Sequence, residues 1–351
     1  MLMKISKKYL NKNFWKNKKV LITGINGFIG GNLAQELIIL GAKVTGISNN
    51  KKKNKFLVYE NIHKKLRIHH INIVDCDKIQ SILKKGDFEI CFHLAAQVDV
   101  NVAKEDPYLT YETNIKGTYN LLEGLRHTKS IKSIVVASSD KAYGEYKIKD
   151  LPYRENYDLR PKYPYDVSKA AADLITKAYT TEIFKMPIIT TRFSNIYGPG
   201  QLNFSALIPD CITANLGYKD FIPRGNGKNK RDFLFVKDVV DLYLCLSYSL
   251  YFNKCLSGEI FNAGTGNGYT VRDIIKAICD INNNGKLFTK IEKKFLGKKL
   301  IGEINHQFMN YNKLNKVLKW KPSYKINDGL ELTFNWYRDF LSSNNYREFN
   351  K

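Results

Sequence analysis

Residues 19–30 of this 351-residue chain, KVLITGINGFIG, are the most informative segment of its sequence. The five residues before the first glycine are typical of a buried strand, and the residues from Phe28 onward are typical of a helix. In such a strand–turn–helix unit, Gly24 permits the tight turn, Gly27 lets a diphosphate approach the backbone, and Gly30 lets the helix pack closely on the sheet. Because the helix would point its first N–H groups at the phosphates, the segment predicts a dinucleotide-binding loop.

The alternation of strand and helix continues beyond this segment. Apolar runs predict strands at residues 19–23, 43–47, 66–71, 89–94, 133–138 and 188–192. Helical patterns predict helices at residues 28–40, 108–126 and 165–184. Strands that are apolar throughout and alternate with helices are typical of a parallel sheet covered on both faces. We therefore predict an α/β protein with a Rossmann-type, doubly wound parallel sheet.

The regular alternation ends near residue 195. Turns rich in glycine and proline follow, and between them the pattern predicts helices at residues 236–251 and 271–281. Nothing in this part predicts a second self-contained core. We expect a smaller, interwoven C-terminal substrate-binding lobe formed by residues 196–231 and 264–345. The Rossmann domain would then comprise residues 15–195 with a return segment near 232–263.

Composition excludes several classes of protein. With 44% hydrophobic residues the chain can bury a core, which excludes wholesale disorder. Only ten of the 56 basic residues are arginines and the lysines are scattered, so the net charge of +23 favours solvated surface charge and attraction of small phosphorylated anions over a nucleic-acid partner. No apolar run approaches the roughly eighteen residues of a membrane span, and the first nineteen residues lack the apolar core of a signal peptide. We expect a cytoplasmic protein with no membrane partner.

The sequence does not predict a metal site. Its six cysteines include no Cys-x-x-Cys pair. His69 and His70 are adjacent in a predicted strand, so their side chains would point to opposite faces.

The second predicted strand ends in the residues GISNNK, from Gly46 to Lys51, and carries no acid. An acid there would hold the adenosine ribose diol of NAD, whereas a base would accept the 2′-phosphate of NADP. Ser48 and Asn49 are candidates to hydrogen-bond the ribose, and Lys51 favours NADP. The residues expected to border the adenine are Asn72 and Ile73. NAD and NADP both remain open at this stage.

The catalytic candidates follow the fifth predicted strand and begin a later helix. They are Ser139, Asp140 and Lys141, followed by Tyr165 and Lys169. The i, i+4 spacing places Tyr165 and Lys169 on one helix face. An ammonium stabilises a phenolate, so we expect the pKa of Tyr165 to fall from about 10 toward neutrality. Tyr165 is then a candidate base for a substrate hydroxyl, with Ser139 bonded to the same oxygen and Lys169 also available to the nicotinamide ribose.

Taken together, these motifs resemble the extended short-chain dehydrogenases/reductases, the NAD-dependent epimerase/dehydratase family. The resemblance extends to HLAAQ at 93–97, TNIKGT at 113–118, RFSNIYG at 192–198, RDFLFV at 231–236, FNAG at 261–264 and WKP at 320–322. It implies a nucleoside-diphosphate (NDP) sugar as substrate and NAD, or NADP, as a tightly held cofactor. It also implies a homodimer in which helices 108–126 and 165–184 of two chains form a four-helix bundle.

The loop and the resemblance together imply two sets of binding residues. The expected cofactor-binding residues are Gly24, Asn26, Gly27, Phe28, Ile29, Gly30, Ser48, Asn49, Asn72, Ile73, Leu94, Ala95, Ala96, Gln97, Asn114, Tyr165 and Lys169. The expected substrate-binding residues are Gln97, Ser139, Asn195 and Arg231, with Arg231 on the diphosphate.

Asp140 and Lys141 bear on which reaction the resemblance implies. A C4 epimerase needs little beyond Ser, Tyr and Lys, whereas a 4,6-dehydratase also removes a proton from C5 and protonates the leaving C6 hydroxyl. An Asp-Lys pair here resembles CDP-glucose 4,6-dehydratases and inverting UDP-N-acetylglucosamine 4,6-dehydratases, and residues 13–19 resemble the former. Lys141 can act as a base only if its pKa is lowered. We therefore expect a dehydratase with Lys141 as base and Asp140 as acid.

Other interpretations remain open. The pair can be a loop ion pair beside an epimerase site, and the chain can be a non-catalytic dinucleotide-fold protein that contacts RNA through its lysines. Asp166 is expected to be a solvated charge at a helix N-terminus and Tyr143 a packing residue. The sequence favours neither contact nor lack of contact with the nucleotide for three residues, Glu303, His306 and Gln307. The nucleotide base and the hexose are not indicated by the sequence.

Overall fold

The computed structural model describes residues 7–51, 54–295 and 304–343. Its strands are β1 (Lys19–Thr23), β2 (Lys43–Ser48), β3 (Arg67–His70), β4 (Ile90–His93), β5 (Ser133–Ser139), β6 (Ile188–Phe193), β7 (Asn195–Tyr197), β8 (Lys230–Arg231), β9 (Phe233–Phe235), β10 (Ile260–Ala263), β11 (Tyr269–Thr270) and β12 (His306–Gln307). Seven of them form a central sheet in the order β10-β6-β5-β4-β1-β2-β3, and all neighbours are parallel. The predicted parallel sheet is confirmed, and the six predicted strands end within one residue of the observed ones.

Helices cover both faces of this sheet. The α-helices are α1 (Lys12–Trp15), α2 (Phe28–Ile39), α3 (Lys55–Tyr59), α4 (Cys76–Gly86), α5 (Val100–Glu105), α6 (Pro107–Tyr111), α7 (Gly117–Arg126), α8 (Pro164–Ala178), α9 (Leu207–Asn215), α10 (Val236–Phe252), α11 (Val271–Ile281), α12 (Gly285–Glu292), α13 (Asn312–Leu318) and α14 (Ile326–Ser342). Apolar side chains of α2 and α10 pack on one face of the sheet, and those of α4, α7 and α8 pack on the other. The doubly wound α/β prediction is therefore confirmed.

Two predicted helices differ from the observed ones. The helix predicted at 108–126 begins at Pro107 and contains a π-helical turn, Glu112–Lys116, between α6 and α7. The helix predicted at 165–184 ends at Ala178. The hydroxyls of Thr180 and Thr181 donate to the carbonyls of Lys177 and Ala178, so these side chains satisfy carbonyls that a continuing helix would use.

The smaller lobe has a hydrophobic cluster of its own, contrary to the expectation of no second core. Residues of α9, α11 and α14 form it with side chains from β7 and β9, among them Ile212, Ile275 and Phe334. Two small sheets, β7 with β9 and β11-β8-β12, lie in the same lobe. The cluster escapes sequence patterning because its segments lie far apart along the chain. The lobe boundaries stay a prediction, and residues 296–303 and 344–345 of the predicted lobe lie outside the described residues.

In the three described ranges, no helix combines the length and the apolar composition that crossing a bilayer requires.

Candidate active site

A cavity of about 1110 Å³ lies at the carboxyl ends of the parallel strands, where the smaller lobe meets the sheet. Loops after β1, β2, β4 and β5 line one side, and residues between β6 and α9 and around β8 line the other. Open α/β sheets bind their ligands at this edge, because loops from neighbouring strands converge there. The cavity is therefore the candidate active site.

The glycine loop forms one end of this cavity. Gly24 has φ +73°, and a Cβ there would lie 2.8 Å from the backbone nitrogen of Ala95. Gly27 is the N-cap of α2, so the first N–H groups of that helix face the cavity. The Thr23 hydroxyl accepts hydrogen bonds from the N–H groups of Leu94 and Ala95, each at 3.2 Å. These contacts hold the loop against the end of β4 and leave backbone donors available to an anion.

Substituting Gly24 by alanine tests this geometry. We expect Gly24→Ala to weaken NAD binding and to lower the free energy of unfolding, because the new Cβ meets backbone atoms. Gly217→Ala is a matched control, since Gly217 has φ +83° and no atom within 4 Å of its Cβ position. In the control, only the strain of an alanine at positive φ should lower the free energy of unfolding, by roughly 1–2 kcal/mol. Urea unfolding and NAD titration measure both effects, and equal losses in the two variants would contradict a close approach at Gly24.

The predicted adenosine-binding residues lie together along the same cavity. Ser48 and Asn49 follow β2 and line it with Asn72 and Ile73. The Ser48 hydroxyl accepts from the Asn50 N–H at 3.1 Å, so the turn after β2 is held in place. The predicted loop residues Asn26, Phe28 and Ile29 also line the cavity.

Two predicted residues, Gln97 and Asn114, are not among the lining residues, whereas Leu94, Ala95 and Ala96 are. The Asn114 side chain accepts from the Gln97 N–H at 2.7 Å and donates to the Gln97 carbonyl at 3.0 Å. It also donates to the Ser168 hydroxyl at 2.9 Å. Both residues therefore support the cavity wall from behind.

The five catalytic candidates line one part of the cavity, although they come from segments 24 residues apart. Ser139 ends β5, and Asp140 and Lys141 begin the 3₁₀ turn Asp140–Tyr143. The Ser139 hydroxyl donates to Asp140 Oδ1 at 3.1 Å and accepts from the Lys141 N–H at 3.2 Å. Tyr165 and Lys169 lie one turn apart on α8, as the spacing predicted.

The protonation of Tyr165 differs from the expectation. Burial raises its pKa, a hydrogen bond with Ser139 lowers it, and the charges of Asp140 and Asp166 raise it further. The Lys169 ammonium instead donates to the Ala137 carbonyl at 2.6 Å. The prediction of a lowered pKa is therefore wrong for this structure, because desolvation of the phenolate outweighs its stabilisation.

Burial also governs the neighbouring ionisable groups. It lowers the pKa of Lys169 to about 8, while the charge of Asp173 raises it. It raises the pKa of Asp140, against the lowering effects of Lys141, Ser139 and Arg231. Asp140 is only 4% exposed, and its Oδ2 has no hydrogen-bond partner among the described residues. A raised pKa favours the protonated form of a carboxyl, which is the form that can donate a proton to a leaving group.

Asp166 is a buried acid that sequence reasoning placed in solvent. It is 2% exposed, and burial raises its pKa to about 6 while the charge of Lys141 lowers it. The one sequence feature that could have indicated its place in the site is its position next to Tyr165. Tyr143, expected to pack, is buried and donates to Asn262 Oδ1 at 2.7 Å.

The lobe supplies the other side of the site. Arg231 and Asn195 line the cavity, and the Arg231 guanidinium donates to the carbonyls of Lys230 and Asn305 at 3.0 and 2.9 Å. His306 and Gln307 are not among the lining residues, and Glu303 lies outside the described residues. The lining residues that sequence reasoning missed include Lys104, Thr113, Leu202, Phe221, Arg224 and Asn229.

Comparisons with known proteins find relatives over most of the chain. The dTDP-D-glucose 4,6-dehydratase of Dictyostelium discoideum is 31% identical over 94% of this chain and 83% of its own length. The CDP-glucose 4,6-dehydratase of Salmonella typhimurium is 26% identical over 95% of this chain and 94% of its own. The dTDP-glucose 4,6-dehydratase of Bacillus anthracis, solved in complex with NAD, is 27% identical with a TM-score of 0.77, over 92% of this chain and 96% of that one.

UDP-glucose 4-epimerases match at similar identity, 26–27%. Relatives of this chain therefore include both nucleotide-sugar 4,6-dehydratases and nucleotide-sugar epimerases. The sequence model of the family described as GDP-mannose 4,6 dehydratase matches residues 21–333. The chain, an extended short-chain dehydrogenase/reductase as its motifs suggested, belongs to the GDP-mannose 4,6 dehydratase family.

Proposed function

We propose that this protein is an NAD-dependent NDP-sugar 4,6-dehydratase, similar to the CDP-glucose 4,6-dehydratases. It would convert an NDP-hexose to an NDP-4-keto-6-deoxyhexose. The observation that carries this proposal is the placement of Asp140 and Lys141 beside Ser139 and Tyr165 in one cavity. This set provides an acid and a base in addition to the group that acts on the C4 hydroxyl.

The residues present fit NAD. The positive φ of Gly24 and the N-terminus of α2 form a cradle for a diphosphate, and Ser48 and Asn49 lie where the ribose would be held. When bound, NAD would supply hydride acceptance at C4 and hydride donation at C6, with no net consumption of cofactor. NAD is preferred over NADP because Lys51 is exposed and is not among the lining residues.

The acid–base chemistry would fall to the chain's own side chains. Tyr165, in its phenolate form, would take the proton of the C4 hydroxyl while Ser139 holds the same oxygen, and the Lys169 ammonium would stabilise that phenolate against burial. The resulting 4-ketone acidifies C5. Lys141 would remove the C5 proton and return it to C5 when C6 is reduced, and Asp140, whose pKa is raised by burial, would protonate the leaving C6 hydroxyl.

The lobe would hold the nucleotide. Arg231 is 8% exposed and lines the cavity, so it would meet a diphosphate in a partly desolvated setting. Asn195 lies on the same side and donates to the Asp232 carbonyl at 3.3 Å.

The decisive experiment combines Asp140→Asn with Lys141→Met. We expect C4 oxidation to proceed and water elimination to fall by about a hundred- to ten-thousand-fold for each group lost. Reduced cofactor should then accumulate, while the base-induced absorbance of the 4-keto product should disappear. CDP-, dTDP-, UDP- and GDP-hexoses are supplied in turn, because relatives act on different nucleotides.

Lys149→Met with Asp150→Asn is the matched control, since these residues are an exposed Lys-Asp pair in another 3₁₀ turn. Wild-type turnover in the Asp140/Lys141 variant would refute the assigned roles.

A C4 epimerase is the second candidate, favoured by the UDP-glucose 4-epimerases among the relatives. It predicts that the wild-type protein yields an epimerised sugar and no ketone on any of these substrates. That outcome would replace the dehydratase proposal.

We also infer a homodimer formed through the faces of α6, α7 and α8. Large apolar side chains are exposed there, among them Tyr108 at 74%, Leu109 at 43% and Leu174 at 62%. A second copy of the chain would remove this surface from water, and a two-fold interface would pair the same helices of both copies.

A further inference from the structure

The active face of α8 continues one turn beyond the two catalytic candidates. Tyr165, Lys169 and Asp173 follow one another at i, i+4 and i+8, and therefore lie along one side of the helix. Tyr165 and Lys169 line the cavity, whereas Asp173 is not among the lining residues and is 2% exposed. Asp173 is thus a buried carboxyl one helical turn from Lys169, and the mechanism above gives it no task.

Asp173 is held by groups from two strands. Its Oδ2 accepts from Arg192 Nε on β6 at 2.7 Å and from the Ser138 hydroxyl on β5 at 3.3 Å. Its Oδ1 is buried and has no hydrogen-bond partner among the described residues. Arg192 is itself 4% exposed, and its Nη1 donates to the Tyr143 hydroxyl at 2.8 Å. The carboxylate is therefore fixed in place with one oxygen left free of hydrogen bonds.

We propose that Asp173, fixed by Arg192, is a positioning residue whose charge keeps Lys169 an ammonium. Only the role of that ammonium in catalysis rests on the proposed dehydratase function. The protonation of Lys169 itself does not depend on it. A buried lysine otherwise loses its proton, because the surrounding protein solvates the charge poorly. A carboxylate one helical turn away offsets this cost without entering the cavity.

Among the described residues, the other charged groups near Lys169 do not provide this charge: Asp140, Asp166 and Arg192 are not among the groups that shift its pKa. Tyr165 on the same helix has its pKa raised by burial, so its neutral phenol form predominates and its phenolate supplies little charge. His93 on β4 has its pKa lowered to about 3 by burial and by the charge of Lys169, so it is neutral as well. From β5 Lys169 receives only a carbonyl, that of Ala137. Burial lowers the pKa of Lys169 to about 8, and the charge that opposes this is that of Asp173.

The consequence concerns the phenol. A further lowering of the pKa of Lys169 reduces the fraction of Lys169 that is an ammonium. Where the pH lies well above this pKa, the fraction falls about tenfold for each pKa unit. The neutral amine no longer stabilises the phenolate of Tyr165, so proton transfer from the C4 hydroxyl becomes harder.

The test is a direct titration of Lys169 in the full chain. Lysine labelled with ¹³C at Cε is incorporated biosynthetically, and the Lys169 resonance is assigned by its loss in Lys169→Arg. In Asp173→Asn we expect the Lys169 midpoint to fall below that of the wild type, and the alkaline limb of kcat/KM to move to lower pH by the same amount. Asp173→Glu, which keeps the charge, should restore both, and Asp158→Asn, at an exposed aspartate, should change neither.

A second variant separates charge from folding. Asp173→Asn leaves Arg192 buried without its partner, whereas Asp173→Asn with Arg192→Gln removes both charges. The Lys169 shift should persist in this double variant. A wild-type Lys169 midpoint in both variants would overturn the proposal, and failure of both to fold would overturn it equally, by assigning Asp173 to the core alone. Because the titration needs no substrate, its outcome is independent of whether the protein proves to be a dehydratase.

Discussion

Replacing Tyr165 by phenylalanine is expected to lower kcat on the NDP-hexose substrate by about a hundred- to ten-thousand-fold. The hydroxyl is the group that lies beside Ser139 in the cavity, and the ring is 8% exposed and packed in α8. The substitution removes the proton acceptor and keeps the ring, so the fold should be unaffected. The loss falls on the first step, the oxidation at C4.

This prediction has a signature that distinguishes it from the Asp140 and Lys141 variants. In Tyr165→Phe neither reduced cofactor nor ketone should accumulate in a single turnover, whereas the other variants should accumulate reduced cofactor. Tyr218→Phe, at a tyrosine that is 54% exposed, serves as the control and should keep wild-type turnover. Turnover of Tyr165→Phe within a few-fold of wild type would show that another group takes the C4 proton.

The second large effect is on stability. Arg192→Met is expected to lower the free energy of unfolding by about 3–5 kcal/mol, because it leaves the carboxylate of Asp173 buried without its ion-pair partner. The two side chains are 4% and 1% exposed and lie 2.7 Å apart, so water cannot replace the lost charge. The methionine also loses the hydrogen bond to Tyr143.

Urea unfolding measures this loss, with Arg160→Met as the matched control. Arg160 pairs with Asp158 at 3.1 Å, but these side chains are 58% and 77% exposed, so the pair exchanges readily with water. The control variant should unfold close to the wild-type midpoint. Similar decreases in the free energy of unfolding for Arg192→Met and Arg160→Met would show that burial does not strengthen the ion pair between Arg192 and Asp173.

The sheet was predictable because its strands are continuous apolar runs, such as the five residues before Gly24, whose pattern depends on local sequence alone. The glycine loop and the Tyr165–Lys169 spacing were predictable for the same reason. The early end of α8 was missed because it depends on the hydroxyls of Thr180 and Thr181, which compete with the helix for its last carbonyls.

What the sequence could not provide was burial. Asp166 follows Tyr165 at a helix start, where a solvated carboxylate is usual, yet neighbouring elements cover it. The predicted direction of the Tyr165 pKa shift was wrong for the same reason, since the loss of water around a phenolate depends on the whole site. The residues that line the lobe's side of the cavity, such as Phe221 and Arg224, could not be predicted because they come together only when distant segments of the chain meet.

The buried amide of Asn114 joins the backbone at Gln97 to Ser168, whose hydroxyl donates to the carbonyl of Tyr165 at 2.7 Å. The turn after β4 and the first turn of α8 are thereby linked, and neither can shift alone without exposing unsatisfied polar groups. We therefore expect any widening of the cleft that admits the proposed substrate to come from the lobe side. In the proposed reaction, this link would keep the backbone at Tyr165 in register with the cavity wall at Gln97.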